Sequence, residues 1–125
     1  MEKKAIKTTK APGAIGPYSQ AIQVNGFVYT SGQLGLNPET GELKENVQEQ
    51  THQALKNVAA ILEEAGLSLE NVVKMTVYLK DMNDFTSVNE IYATYFKGTP
   101  PARSAIEVAR LPKDGLVEIE AIAVV

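Results

Sequence analysis

The sequence predicts an α+β fold, and three local patterns carry the prediction. An Asn25–Gly26 pair sits between two apolar runs, residues 21–24 and 27–31, and both of its residues suit the positive φ of a two-residue hairpin turn. Between Asn46 and Gly66 the apolar residues change to a helical period. From Val73 to Lys80 they alternate one by one, the mark of a strand with one buried face.

The elements follow in order. Residues 3–9 alternate weakly and read as a first strand. Residues 11–17 are too rich in Gly and Pro for a helix and form a shaped loop, with Tyr18 and Ser19 at its exit. Gly32 follows the hairpin, where a missing Cβ permits close backbone approach. Residues 37–42 are a surface turn. In the long helix Val47, Ala54, Leu55, Val58, Ala59, Ile61, Leu62 and Ala65 share a face, with Gln48, Gln53, Lys56, Asn57 and Glu63 outside it. Asn46 and Glu49 resemble a capping box, and Gly66 suits the C′ stop. Val73, Met75, Val77 and Leu79 are the buried side of the next strand. Asp81 or Asn83 caps a second helix with Phe85, Val88, Ile91, Tyr92, Tyr95 and Phe96 inward, ended by Lys97–Gly98. Pro100–Pro101 breaks the chain, residues 102–108 are strand, 112–115 a turn and 116–125 the last strand.

Two helices suffice to cover one face of one sheet. The last strand has Val117, Ile119 and Ala121 on one side and Leu116, Ile122 and Val124 on the other. Apolar residues on both sides call for cover on both faces, and a second protomer is the simplest second cover. With no internal repeat or linker, residues 1–125 are expected to form a single domain.

Composition excludes several chemistries. There is no cysteine, hence no disulfide, thiol nucleophile or thiolate metal site. The one histidine, His52, cannot build a multi-His zinc site. Neither a metal nor a cofactor is expected. The net charge of −3 is no whole-chain basic footprint, so nucleic acid is not the expected partner. No window approaches the roughly 20 apolar residues of a membrane helix. Residues 1–9 lack the apolar core of a signal peptide. A cytoplasmic protein without membrane association is expected.

The residues with chemical promise cluster late in the chain. Arg103 follows Pro100–Pro101 and has small neighbours in Ala102 and Ala105. A strand arginine is commonly just an exposed charge. Here the fixed approach suits a bidentate clamp for a planar carboxylate, and Glu107 on the same strand face is a possible partner. Glu118 and Glu120 are two apart and share a face with Leu116, Ile122 and Val124. A carboxyl among apolar residues has a raised pKa unless paired, which is how general bases are tuned. For Glu118, near a turn, the other reading is a strand end emerging into solvent, and the pattern leaves both open. The arginine and the acids are expected on neighbouring strands. Ser31 and Tyr18 are hydroxyls beside flexible backbone, but a nucleophilic serine wants a base, and His52 sits among polar helix residues. Gly13-x-x-Gly16 lacks the strand–turn–helix setting of a phosphate loop. The aromatic residues of the second helix are at core spacing and read as packing.

Ile15–Gly16–Pro17–Tyr18–Ser19–Gln20, Thr30–Ser31–Gly32–Gln33, Val88–Asn89, Pro101–Ala102–Arg103–Ser104, Ala109–Arg110–Leu111–Pro112 and Ile119–Glu120 together resemble the RidA (YjgF) family of reactive-intermediate deaminases. The resemblance runs nearly end to end. It implies a chorismate-mutase-like α+β fold: a mixed, mostly antiparallel sheet with two helices on one face, assembled as a homotrimer with sites between protomers. It implies hydrolysis of 2-imino acids, 2-iminobutanoate and 2-iminopropanoate, to 2-keto acids and ammonia, with no metal or cofactor. Arg103 matches the arginine that binds the substrate carboxylate, and Glu118 the acid that holds the attacking water. Tyr18, Ser31, Gly32 and Asn89 match pocket positions. At Ala105 many members carry cysteine, so thiol chemistry is absent here, while a role for the backbone carbonyl survives. The alternative is a non-catalytic module that binds keto acids through the same arginine. A ribonuclease reading fits poorly with the acidic balance and the single histidine.

Overall fold

The Asn25–Gly26 turn adopts the dihedrals that its residues favour: φ is 50° at Asn25 and 80° at Gly26 in the computed structural model, which describes residues 2–125. It joins β2 (Ala21–Val24) to β3 (Phe27–Thr30) as an antiparallel hairpin, and β1 (Lys4–Ile6) lies antiparallel on the far side of β2. A two-residue strand, β4 (Gln33–Leu34), comes next and was not expected from the sequence.

β3 pairs with β7 (Val117–Val124) as far as Tyr29 opposite Ile122, and pairing resumes on β4 with Gln33 opposite Ile119. Thr30, Ser31 and Gly32 therefore face only Glu120 and Ala121, so the chain bulges between β3 and β4. The Thr30 hydroxyl accepts the Ala121 N–H at 3.0 Å and holds the bulge to the sheet.

α1 (Val47–Glu64) begins where Asn46 Oδ1 accepts the Glu49 N–H at 2.9 Å. It ends at Gly66, with φ at 79°. There the Gly66 N–H reaches Glu63 O and the Leu67 N–H reaches Leu62 O, the paired bonds of a Schellman stop. One residue departs from the expected face. Asn57 is fully buried, because its amide donates to the carbonyls of Leu34 and Leu36 at 3.1 and 3.0 Å.

β5 (Val72–Leu79) corrects the alternation by one residue at its start. Val72 is buried and Val73 exposed, since the register against β7 shifts between Val72 and Lys74. Asp81 caps a short 3₁₀ turn, Met82–Asp84, that leads into α2 (Phe85–Ala93). α2 is shorter than its apolar pattern suggests, and Tyr95 and Phe96 lie in the turn beyond it. The chain then crosses to β6 (Ala102–Glu107), parallel to β5.

The sheet order is β1-β2-β3-β7-β5-β6, with β4 also on β7. It is mixed and mostly antiparallel, and with two helices it makes the expected α+β class. One face is core: Met75, Val77 and Leu79 stand beside Ala121, Ile119 and Val117, all at most 2% exposed, in one cluster with Leu55, Val58, Ile61 and Leu62 of α1. Burying each large aliphatic side chain there is worth about 1.5–3 kcal/mol. The other face carries Thr76 beside Glu120 and Tyr78 beside Glu118, with Phe27, Tyr29, Ile106 and Val124 each more than a third exposed. A single chain leaves this second face uncovered. No helix among the described residues is long and apolar enough to cross a membrane.

Candidate functional site

Glu118 sits on β7 between Leu34 of β4 and Tyr78 of β5. Its carboxylate packs against the Cα of Gly32, in the space that a Cβ at residue 32 would occupy. The bulge of β3 into β4 brings Gly32 there, and a residue without a side chain is required. Glu118 is half-buried. That burial raises its pKa from the ordinary carboxylate value, and the charge of Glu120 on the same sheet face raises it further.

A cavity of about 640 Å³ opens beside the carboxylate, lined by Tyr18, Ser31, Gly32 and Glu118 together with Ile15 and Lys113. Tyr18 is half exposed. Ser31 donates its hydroxyl hydrogen to Ser19 O at 2.6 Å, and its N–H reaches Gln20 O at 2.8 Å. This serine is a structural link between loop and strand, and His52 lies apart from it on α1, paired with Tyr95.

Sequence reasoning missed how the loop before Tyr18 is held. Gln20 is 3% exposed, and its amide accepts the Thr8 N–H at 2.7 Å while donating to Thr8 O and Pro12 O at 3.1 and 2.8 Å. It staples the Gly- and Pro-rich segment to Thr8, just beyond β1. A lone glutamine in a loop gives no local signal of such burial.

Arg103 forms a second locus, on β6 against α2. Its Nη1 donates to Asn89 Oδ1 at 2.8 Å. Its guanidinium carbon lies 4.7 Å from the centroid of the Tyr92 ring and 5.5 Å from that of Phe85. A smaller cavity, about 390 Å³, is lined by Arg103, Asn89, Tyr92, Phe96, Pro100 and Pro101. The possible Glu107 partner is otherwise engaged, since its Oε1 accepts the Met82 N–H at 2.8 Å. Ala105 is half-buried against the core. Because the Val108 N–H points to Leu79 O of β5, the backbone groups of Arg103 and Ala105, at odd positions, point to the free edge of the sheet.

The structure does not bring Arg103 and Glu118 together. Their strands are not neighbours as expected, for β5 runs between them. Arg103 is aligned with Met75, on the core face, whereas Glu118 is aligned with Tyr78, on the open face. Tyr18, Ser31 and Gly32 go with Glu118; Asn89 and Ala105 go with Arg103. His52 is exposed on α1, its Nδ1 2.9 Å from the Tyr95 hydroxyl. No group of three metal-ligating side chains occurs among the described residues.

The family model for endoribonuclease L-PSP matches residues 8–125. The mouse protein named 2-iminobutanoate/2-iminopropanoate deaminase is 60% identical over 98% of this chain and 91% of its own length. A RutC family protein of Pyrococcus abyssi is 58% identical over 98% of each chain. Among solved structures, Escherichia coli TdcF with bound serine superposes with a TM-score of 0.95 at 50% identity, covering 98% of both chains. The E. coli YjgF gene product does so at 0.94 with 52% identity, over 97% of this chain and 98% of its own. With a fold, a set of motifs and near-full-length similarity in agreement, the chain belongs to the RidA (YjgF) family, whose model carries the description endoribonuclease L-PSP.

Proposed function

We propose that this chain, one RidA-like domain over residues 1–125, is a 2-iminobutanoate/2-iminopropanoate deaminase that works as a homotrimer, with each site shared between two protomers. The observation that carries the reading is the Glu118 carboxylate seated on Gly32 at the wall of a cavity, half-buried and with a raised pKa. The name of the 60%-identical mouse relative supports the choice of reaction.

The chemistry needs little from the protein. A protonated 2-imino acid is electrophilic at C2 without further activation. Arg103 holds the substrate carboxylate by a fork of N–H bonds. Glu118 takes a proton from water as the oxygen attacks C2, giving a tetrahedral amino alcohol. It returns that proton to the nitrogen; as the C2–N bond breaks and ammonia leaves, the hydroxyl proton passes to the Glu118 carboxylate, the keto group forms, and ammonia takes that proton away as ammonium. Orienting water and imine accounts for several kcal/mol of barrier, up to about 7–11 in the best intramolecular cases. Because Arg103 and Glu118 face opposite ways in one chain, the site is completed by Arg103 of one protomer and Glu118 of the next. The uncovered face with Phe27, Tyr29, Ile106 and Val124 supports burial against another copy.

The test is release of ammonia and 2-oxobutanoate from enzymatically generated imine. Arg103→Ala and Glu118→Gln should each lower kcat/KM by on the order of 30- to 1000-fold, the kinetic equivalent of losing a hydrogen-bonded charge of about 2–4 kcal/mol. Full activity in either sinks the reading. The serine bound to TdcF keeps a second reading in view, a carboxylate-binding module without turnover. In that case Glu118→Gln would leave ligand affinity unchanged and the unaltered protein would release no ammonia.

A further inference from the structure

We propose that Tyr92, together with Phe85 and Asn89, forms a positioning set that fixes the plane of the Arg103 guanidinium. The inference rests on the reading of Arg103 as the carboxylate anchor, and it moves Asn89 from a ligand contact to a support of the anchor.

The partners of Arg103 are all neutral. They are one amide oxygen, at 2.8 Å, and two ring faces, at 4.7 and 5.5 Å. The only ion pair among the described residues is Lys10–Glu63. The guanidinium charge is thus held in a partly buried place without a carboxylate to neutralise it. Asn89 occupies one of its five N–H donors. The charge and the remaining donors are left for an anion.

The three partners also come from one helix face. Phe85, Asn89 and Tyr92 are spaced four and three apart on α2, so they stand in a row above β6. Tyr92 is the fixed member: it is 6% exposed and its ring packs 4.7 Å from that of Phe96. Its hydroxyl has no hydrogen-bond partner among the described residues, so the ring and not the oxygen secures it. A planar cation over such rings is held in orientation as well as in place. A lysine ammonium has no plane to hold.

The experiment uses the assembled protein, 2-oxobutanoate as the binding probe, and turnover of generated 2-iminobutanoate. Tyr92→Leu should raise KM and the 2-oxobutanoate Kd by roughly three- to thirtyfold, the factor of a lost cation–π contact, with kcat little changed. Tyr92→Phe, which keeps the ring face, should restore tight binding. Because Tyr92 belongs to the core, Asn89→Ala at an exposed position repeats the test where folding is not at stake, and KM and Kd should again rise together. On an Arg103→Lys background both substitutions should lose most of their effect. Unchanged affinity in Asn89→Ala and in folded Tyr92→Leu overturns the proposal. So does an equal loss on the lysine background, which would mark a general structural role. If Arg103→Ala itself binds and turns over normally, the anchor reading fails, and the positioning set fails with it.

Discussion

Arg103 and Glu118 lie on opposite faces of one sheet, with β5 between their strands. No rotamer of either side chain carries it through a packed sheet to the other. A reaction that needs both must draw on two copies.

Subunit mixing tests this directly. Arg103→Ala and Glu118→Gln proteins, each with only residual activity alone, should regain activity when unfolded together and reassembled. With random mixing, about one site in four receives a good arginine from one protomer and a good glutamate from its neighbour. Recovery near a quarter of normal activity is expected. No recovery, with mixed assemblies verified by mass, would place both groups in one protomer's site.

The acid limb of the pH profile should report Glu118. Its pKa is raised by burial first and by Glu120 second. As a base it must be ionised, so kcat/KM falls as pH drops through the raised value. Glu120→Gln removes the second cause and should move that limb to lower pH. An unmoved limb would detach the profile from this pair.

Stability runs the other way with pH. The folded chain binds the Glu118 proton more tightly than the unfolded chain does. This group's stabilising contribution is complete below the ordinary carboxylate pKa and is lost as pH rises through the folded-state value. Glu118→Gln should therefore raise the melting temperature at neutral pH while turnover is lost, as thermal scans on both proteins can show.

Gly32→Ala should cost function more than fold. The new methyl meets the Glu118 carboxylate, not a backbone atom. Overpacking of this kind costs about 1–3 kcal/mol, and here a movable side chain yields. If Glu118 holds the attacking water as proposed, displacing that side chain should lower kcat by tenfold or more, while circular dichroism stays unchanged.

Gln20→Leu should destabilise by about 1–3 kcal/mol, because the Thr8 N–H is left buried without an acceptor. Urea titration measures it. The loop that delivers Tyr18 loses its ties to Gln20 in the same change, so KM should rise as well.

What the sequence disclosed was local chemistry. The hairpin was legible because Asn25 and Gly26 carry their turn type in their own conformational preferences, and α1 because its apolar period and both caps lie within the segment. Asn57 was misplaced because its partners, the carbonyls of Leu34 and Leu36, lie more than twenty residues away, and no pattern within α1 encodes them. Val73 was misplaced because a bulge shifts a two-residue period by one. Tyr95 and Phe96 keep helical spacing past Ala93, where the chain in fact turns, so spacing alone overran the end of α2. The candidate residues were readable as types, and motif resemblance sorted Glu118 from Glu120. Their partition into two loci was not readable, because adjacency in sequence suggested that β6 and β7 lie side by side.

That misreading points to something about timing. β7 comes after every other strand in the chain, yet it lies between β3 and β5 and also takes β4. Until it arrives the sheet is in two pieces, the β1–β3 hairpin group and the β5–α2–β6 crossover, linked through α1 and each with an unpaired edge. A ribosome releases β7 last of the strands, so the sheet closes late, by insertion between partners distant in sequence, and loops that long make closure slow. The window before insertion is when open edges can pair with other chains. Fast synthesis at high concentration should therefore favour aggregates over native protein, and slower expression should recover the yield.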